Sequence, residues 1–427
     1  MRGAILVGPG DTPLDVIERA PIWDALDLFR ADASAIILVD PPADGAAKRA
    51  VLSRAAEAGS KAYILSQAKL RPLRLDDLIG RPLGDVDFAR IRNVIAGKRV
   101  LVTGGGGSIG SELARRIATL GPARLTLLDS SEHNLYGIGL ELPNAVQVLA
   151  DIRDAHAIGR WFATERPELV FHAAALKQVP MVEAFPSEGV LTNVLGLQNV
   201  AEAARGVGAD LLFVSTDKAV DPSGVMGGSK RLGEIYCQAL DRAGPQRAVP
   251  VRLGNVMGSA GSVTPIFEAQ LATGGPLTVT DPEVTRFFLT IPQAADALLQ
   301  AAAVGLTAEP RGSVLVIDMG EALPVVELAR EVIRLAGLRP DIDVPITFTG
   351  LRPGEKLHEA LVAAGEWREA DPAPGVIAVA SDKRDLAGVQ SAMAEVTALA
   401  RDGANDRIAP ALFAAISAGG RDEAIAV

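Results

Sequence analysis

Residues 98–129, KRVLVTGGGGSIGSELARRIATLGPARLTLLD, constrain the fold more than any other part of this chain. They read as a buried strand over 100–103, a glycine turn, an amphipathic helix over 111–120 and a second strand over 124–129 that ends in an acid. Gly104, Gly107 and Gly110 provide a tight turn, close backbone approach and helix–strand packing, which a pyrophosphate needs at the opening of a dinucleotide-binding βαβ unit. Asp129 follows Gly110 by 19 residues, where a carboxylate accepts from ribose hydroxyls and repels a 2′-phosphate, so the expected cofactor is NAD rather than NADP. The alternative is a glycine-rich loop with no ligand. It must account for four consecutive glycines at 104–107, each carrying a penalty of about 0.5–1 kcal/mol if held within regular structure.

At 427 residues the chain is long enough for two or three domains, and its 48% hydrophobic and 22% charged content is that of a globular protein rather than a disordered one. A net charge of −10 argues against a nucleic-acid groove but leaves room for a local basic pocket that takes a phosphorylated small molecule. Cys237 is the single cysteine, which excludes a disulfide framework and a multi-cysteine metal site, fits a reducing cytoplasm, and reads as a buried small hydrophobe. His172 and His358 lack metal-ligand spacing, so no metal is expected. No apolar run approaches the roughly 20 residues of a membrane span, and the N-terminus does not read as a signal segment, so the chain as given is expected to be soluble.

Residues 1–85 read as a small α/β domain. The runs GAILVG, AIILVD and AYILS are separated by helical patterns around 15–30 and 46–58, the mark of a small parallel, Rossmann-like sheet. GAILVGPGD is an alternative nucleotide turn, but it lacks the third glycine and continues through Pro9 and Pro13, which favours a structural or regulatory role. Residues 70–87, with two prolines and scattered charge, look like a connector. Over 86–255 the runs VLVTG, RLTLLD, VQVLAD, LVFHAAA, LLFVST and VPVRLGN alternate with helical patterns, which gives a doubly wound parallel sheet of the Rossmann kind. Asp151 and Ile152 follow a strand and are placed to flank an adenine ring. Ala173 and Ala174 either leave room for a flat cofactor or ease strand–helix packing. Residues 256–427 have the look of a smaller substrate lobe, some of whose segments return to the Rossmann core, with an alanine-rich tail from 366 that is helical in pattern.

The chemistry is concentrated in residues 213–234, FVSTDKAVDPSGVMGGSKRLGE, and 351–356, LRPGEK. A strand ends at Ser215 and presents Thr216, Asp217 and Lys218 at the mouth of a parallel sheet, where ligands bind in open α/β folds; the alternative is an ordinary surface charge pair. Lys230 lies on the next helix, where it is placed to hold the nicotinamide ribose of a bound dinucleotide.

The stretches TGGGGSIGSEL, HAAALKQVPMVE, NVLGLQNV, STDKAVDPSGVMGGSK, VRLGNVMGSAGSVTPIF, PEVTRFFLTIPQA and GLRPGEKL cover about residues 85–365. Together they resemble an extended short-chain dehydrogenase/reductase, and more closely the UDP-N-acetylglucosamine 4,6-dehydratases of bacterial surface-polysaccharide biosynthesis. One departure is informative, because the usual Tyr-x-x-x-Lys pair stands here as Met226-Gly227-Gly228-Ser229-Lys230, with no tyrosine to act as base. Within the resembled group, the methionine version is similar to the large dehydratases that retain the C5 configuration, and the tyrosine version to smaller C5-inverting enzymes. Those large relatives commonly carry membrane helices ahead of a small Rossmann-like domain. The expected location is therefore cytoplasmic, at the inner membrane where an anchor is present, and the expected assembly is a homo-oligomer.

The reaction implied by the resemblance has three steps: hydride leaves C4 for NAD⁺, water is eliminated across C5 and C6, and the same hydride returns to C6. It requires a base for the C5 proton and an acid for the C6 hydroxyl. The resemblance gives these roles to Lys218 and Asp217, and a lysine base needs burial or a nearby cation to become neutral. For the O4 proton, Thr216, Asp217 through a relay, and a water near Lys230 stand as alternatives. The resemblance also implies that Ser108, Ile109, Lys177 and Asn193 join the three glycines at the cofactor, with Lys177 shared by the substrate. It places Asn255, Ser262, Val263, Arg286, Arg352 and Glu355 around UDP, where an arginine fork suits a pyrophosphate and a carboxylate suits ribose or base donors. The competing readings are a C4-epimerase, a C5-inverting dehydratase and a non-catalytic NAD-binding regulator.

Overall fold

The computed structural model describes residues 3–7, 16–20, 35–39, 45–66, 69–79, 86–381 and 383–418. The chain divides into two compact units: residues 83–255, 291–318 and 352–427 form the larger, and residues 1–82, 256–290 and 319–351 the smaller.

The larger unit is built on a nine-stranded sheet of β1 (Arg99–Thr103), β2 (Arg124–Asp129), β3 (Val146–Leu149), β4 (Leu169–His172), β5 (Asp210–Thr216), β6 (Ala248–Leu253), β7 (Val314–Ile317), β8 (Trp367–Ala373) and β9 (Val376–Ala380), in the order β8-β9-β7-β6-β5-β4-β1-β2-β3. The seven strands from β7 to β3 in that order are parallel. All six strands expected between 100 and 253 are present. β1, β4, β6 and β7 are buried along nearly their whole length, which is why they read as unbroken apolar runs rather than alternations. Strand order reverses between β1 and β4, so their carboxyl ends, Thr103 and His172, mark the crevice where an open α/β sheet takes ligands.

The alanine-rich tail is not helical throughout. β8 and β9 form a hairpin that turns through Gly375 at φ +73°, and β9 pairs antiparallel with β7. Pairing with an open sheet edge overrides the helical preference of alanine, and Val376, Ala378, Val379 and Ala380 are buried in the process. Four helices frame the site or support it: α1 (Ser108–Thr119), α2 (Val225–Ala243), α3 (Leu386–Arg401) and α4 (Asn405–Ser417). α3 and α4 pack on α2, which is almost wholly buried. A side-chain carbon at Gly228 would stand 2.9 Å from Leu412 Cδ2, so the small residues in the first turn of α2 are what let α4 approach.

A buried charge cluster ties the segment after residue 352 to the sheet. Arg252 on β6 is fully buried and donates to Glu234 on α2 at 2.9 and 2.7 Å, to Glu366 at 2.7 and 2.6 Å, and to the carbonyl of Leu361 at 3.0 Å. Arg231 adds a second cation to both carboxylates, at 3.0 and 2.6 Å. Burial opposes ionisation of Glu366, but hydrogen bonds and charge from Arg252, with Arg231 beside it, outweigh that and lower its pKa from 4.5 to about 2. A folded-state value below the unfolded one makes the ionised group stabilising above pH 4.5, a contribution lost as the pH falls towards about 2. Glu366→Gln is therefore expected to flatten the acid limb of a urea-midpoint profile over that window. An acid limb as steep as that of the wild type contradicts this.

The smaller unit holds a five-stranded sheet in the order Val16–Ala20, Gly3–Val7, Ala35–Val39, Lys61–Ser66, Lys69–Pro72. Only the pairing of Ala35–Val39 with Lys61–Ser66 is parallel, so the parallel sheet expected here is instead mixed. Val16–Ala20, within the expected helix around 15–30, is a strand: β-branched Val16 and Ile17 lie between Pro13 and Pro21, which leaves no length for a helix. The remainder of that helix and the end of GAILVGPGD lie outside the described residues. The expected connector contains the end of one strand and a short helix, Leu75–Ile79. In the same unit the helix Gly45–Glu57 packs against Val325–Leu335.

Candidate active site

The glycine turn between β1 and α1 separates three demands. Gly104 adopts φ +66°, and a side-chain carbon there would lie 2.7 Å from the Ala174 nitrogen. One at Gly110 would lie 2.0 Å from the Gly104 carbonyl oxygen, so the turn and the start of α1 close on each other only without side chains. Gly107 caps α1, no side chain caps that helix, and a carbon at Gly107 would meet only the Gly104 oxygen, at 3.2 Å. Ser108 and Ile109 open the helix behind it. The amino end of α1 thus carries the positive end of a helix dipole with no built-in anion, which suits a phosphate. Asp129 ends β2 and accepts from the Gly106 N–H and the Ser131 N–H, both at 2.9 Å, so it braces the turn itself.

Ala173 and Ala174 follow β4, where the Ala173 N–H donates to the Thr103 carbonyl at 3.1 Å. Asp151 follows β3 and is engaged by Arg153, whereas Ile152 is buried against Gly196 and packs into the core. Asn193 sits in a π-helical turn, Leu191–Leu195, and orders the segment that carries Lys177. Its amide donates to the Leu176 carbonyl at 2.9 Å and to Ser229 Oγ at 3.0 Å, and it accepts from the Leu176 N–H at 2.9 Å. Burial, then the charge of Lys218, lowers the pKa of Lys177. His172, below the turn, lies within 2.7 Å of Thr103 Oγ1; burial first, then Lys230, lowers its pKa to about 3 and keeps it neutral.

At the end of β5, Thr216, Asp217 and Lys218 form one hydrogen-bonded unit rather than a loose surface pair. Lys218 Nζ donates to Asp217 Oδ1 at 2.9 Å and to Asn255 Oδ1 at 2.8 Å, and Thr216 Oγ1 donates to the same Asp217 oxygen at 2.9 Å. Asp217 is fully buried, and its Oδ2 has no hydrogen-bond partner among the described residues. Lys230, on α2, donates to the Val214 carbonyl at 3.0 Å and lies 4.6 Å above the centre of the Phe213 ring, with burial lowering its pKa to about 8. Met226 is 3% exposed and belongs to the apolar cluster that includes Leu412 and Ala415 of α4, while its N–H donates to Glu183 at 3.2 Å. A small depression beside Lys218 is lined by Glu183, Met226, Gly354, Lys356 and Glu359. Glu183, Lys356 and Glu359 were not expected here from the sequence. Lys356 lies within LRPGEK, but nothing in residue spacing marks the other two.

Arg352 and Glu355 share a tight turn, in which the Arg352 N–H donates to Glu355 Oε2 at 3.2 Å and the Glu355 N–H to the Arg352 carbonyl at 3.0 Å. Ser262, Val263 and Arg286 belong to the smaller unit. There Ser262 precedes the helix Val263–Ala272 and Arg286 lies on the short strand Thr285–Arg286, which pairs with Leu323–Pro324.

Residues 100–381 match the polysaccharide biosynthesis protein family. The chain is 42% identical over 306 residues to the capsular polysaccharide biosynthesis protein CapD of Staphylococcus aureus, an alignment that covers 70% of this chain and 50% of CapD. It thus spans about half the length of the curated relatives it matches in this way. Among solved structures it is similar to Pen from Bacillus thuringiensis, with TM-score 0.59 and 29% identity over 67% of this chain and 87% of Pen. It is also similar to the UDP-glucose 4-epimerase of Thermus thermophilus in complex with NAD, with TM-score 0.53 and 25% identity over 61% of this chain and 89% of that protein.

Proposed function

The chain belongs to the polysaccharide biosynthesis protein family, and from that membership we propose that it is an NAD-dependent 4,6-dehydratase of UDP-N-acetylglucosamine that retains the C5 configuration. The observation that carries the reading is the Asp217–Lys218 contact of 2.9 Å at the end of a parallel strand, with methionine in place of the usual tyrosine four residues before Lys230. NAD is the cofactor: the turn at Gly104, Gly107 and Gly110, the amino end of α1 with no side-chain cap and the acid Asp129 fit it, and the Thermus thermophilus protein is an NAD complex. Bound NAD supplies a site that takes hydride from C4 and gives it back at C6.

The residues of the chain do the proton work. Transfer of one proton along the Lys218–Asp217 contact turns an ion pair into a neutral amine beside a neutral acid. The amine then takes the C5 proton while Asp217 gives its proton to the departing C6 hydroxyl, so one water leaves and the double bond forms between C5 and C6. Lys218 returns a proton to C5 as hydride reaches C6, and the proton released from O4 on oxidation, passed through Thr216, Asp217 by a relay or a water near Lys230, restores the pair. Thr216, bonded to Asp217, and Asn255, bonded to Lys218, fix the two groups in line. Lys230, tethered to the Val214 carbonyl, positions the nicotinamide ribose. The Arg352 guanidinium of the larger unit is of a kind suited to a diphosphate, as is that of Arg286 in the smaller unit taken by itself.

Purified protein with no added cofactor should convert UDP-N-acetylglucosamine to a product lighter by one water. A C4-inverted or unchanged sugar overturns the reading. The second reading, a C4-epimerase, draws on the likeness to the Thermus thermophilus protein, but it gives a buried acid at Asp217 no task. Because Met226 packs in the apolar cluster and has no proton to exchange, Met226→Ala should lower turnover several-fold while both limbs of the pH–rate profile stay in place. Loss of one limb contradicts that.

A further inference from the structure

Lys218 does not stand in a simple pair. Its ammonium also faces Glu359 Oε1 at 3.9 Å, and Glu359 in turn faces Lys356 Nζ through Oε2 at 3.4 Å. Lys356 is itself fixed, since its Nζ donates to the Val220 carbonyl at 2.6 Å. The Glu359 side chain is 2% exposed, and its Oε2 accepts no hydrogen bond among the described residues. A carboxylate that deep needs charge compensation, and here two lysines on opposite sides supply it.

We propose that Glu359 and Lys356 are positioning residues for the Lys218 amine, Glu359 holding it charged and in place and Lys356 offsetting part of that hold. The proposal rests on the dehydration described above, in which the Lys218 proton must pass to Asp217. A carboxylate 3.9 Å from the ammonium opposes that transfer, and a cation 3.4 Å away on the same carboxylate weakens the opposition. The two side chains therefore act with opposite sign on one proton, which a purely structural brace would not do. Among the described residues Lys218 also faces Asp217 beside it on the chain, Asn255 after β6 and Lys177 after β4, and the Glu183 carboxylate lines the same depression.

The test is the pH dependence of acetic anhydride labelling at Lys218 in the intact, NAD-bound protein, read by peptide mass spectrometry, because only the neutral amine reacts. The labelling midpoint should fall by about one pH unit in Glu359→Gln, the size expected for an opposite charge about 4 Å away, and rise by a smaller amount in Lys356→Met, which acts through Glu359, with Glu359→Asp close to wild type. Midpoints that stay fixed, or that move the same way in both variants, overturn the proposal. If Glu359→Gln does not fold, the rise in Lys356→Met and the position of Glu359→Asp still decide it. Opposite shifts in a protein that dehydrates no sugar support the charge arrangement and overturn the dehydratase reading; dehydration with fixed midpoints does the reverse.

Discussion

Lys218→Ala is expected to arrest the reaction with the cofactor reduced: the absorbance of reduced nicotinamide rises and persists while no 6-deoxy product forms. In the proposed mechanism oxidation at C4 does not use the Lys218 amine, whereas removal of the C5 proton does, and loss of a general acid–base group costs about 10²–10⁴ in rate. Asp217→Asn should stall at the same point, because an amide in place of the buried carboxyl cannot deliver a proton to the leaving hydroxyl. Lys218→Arg separates charge from basicity. It restores a cation beside Asp217, but a guanidinium does not give up its proton, so turnover should not return. Stopped-flow absorbance with product analysis checks all three variants, and near wild-type turnover in Lys218→Ala contradicts the assignment.

Arg252→Met should be the most destabilising single change in the larger unit. Removing one partner of a buried ion pair typically costs about 3–5 kcal/mol, because the charge left behind stays buried. Here the change would leave the carboxylates of Glu234 and Glu366 turned towards each other, with Arg231 the remaining cation on both. The damage should reach the chemistry too. Glu234 accepts from Ser215 Oγ at 2.7 Å, and Ser215 directly precedes Thr216, Asp217 and Lys218. Urea denaturation measures the loss, and a cost under about 1 kcal/mol would show that the cluster is not what fixes residues 361–366 to the sheet.

The glycine turn and the Thr216-Asp217-Lys218 strand end were legible because each demands particular residue types in consecutive positions. Gly104 needs a positive φ, and an acid next to a base at the carboxyl end of a strand has few structural explanations. The six parallel strands were legible as apolar runs. The β8–β9 hairpin was not, since VIAVA joins the sheet by pairing with β7, a contact between residues some sixty positions apart, as well as with β8 beside it. Val16–Ala20 was hidden for a related reason: its antiparallel partner, Gly3–Val7, decides its conformation, and the helical period there is too short to compete. The hydrogen bond from Lys218 to Asn255 was not legible either, because it joins residues 37 positions apart. Glu183, Glu359 and the Arg252 cluster were invisible because they act through distances across the fold, whereas in sequence each is one charged residue among many.

The proposed function requires that one sugar be oxidised, dehydrated and reduced without leaving the site. The most direct test gives the protein UDP-N-acetylglucosamine carrying deuterium at C4, in ordinary water, and locates the label in the product by NMR. The expected result is deuterium at C6 of the same molecule, a solvent proton at C5 with the configuration retained, and no requirement for added cofactor. Deuterium that remains at C4, returns there with inversion, or is lost to solvent would contradict it.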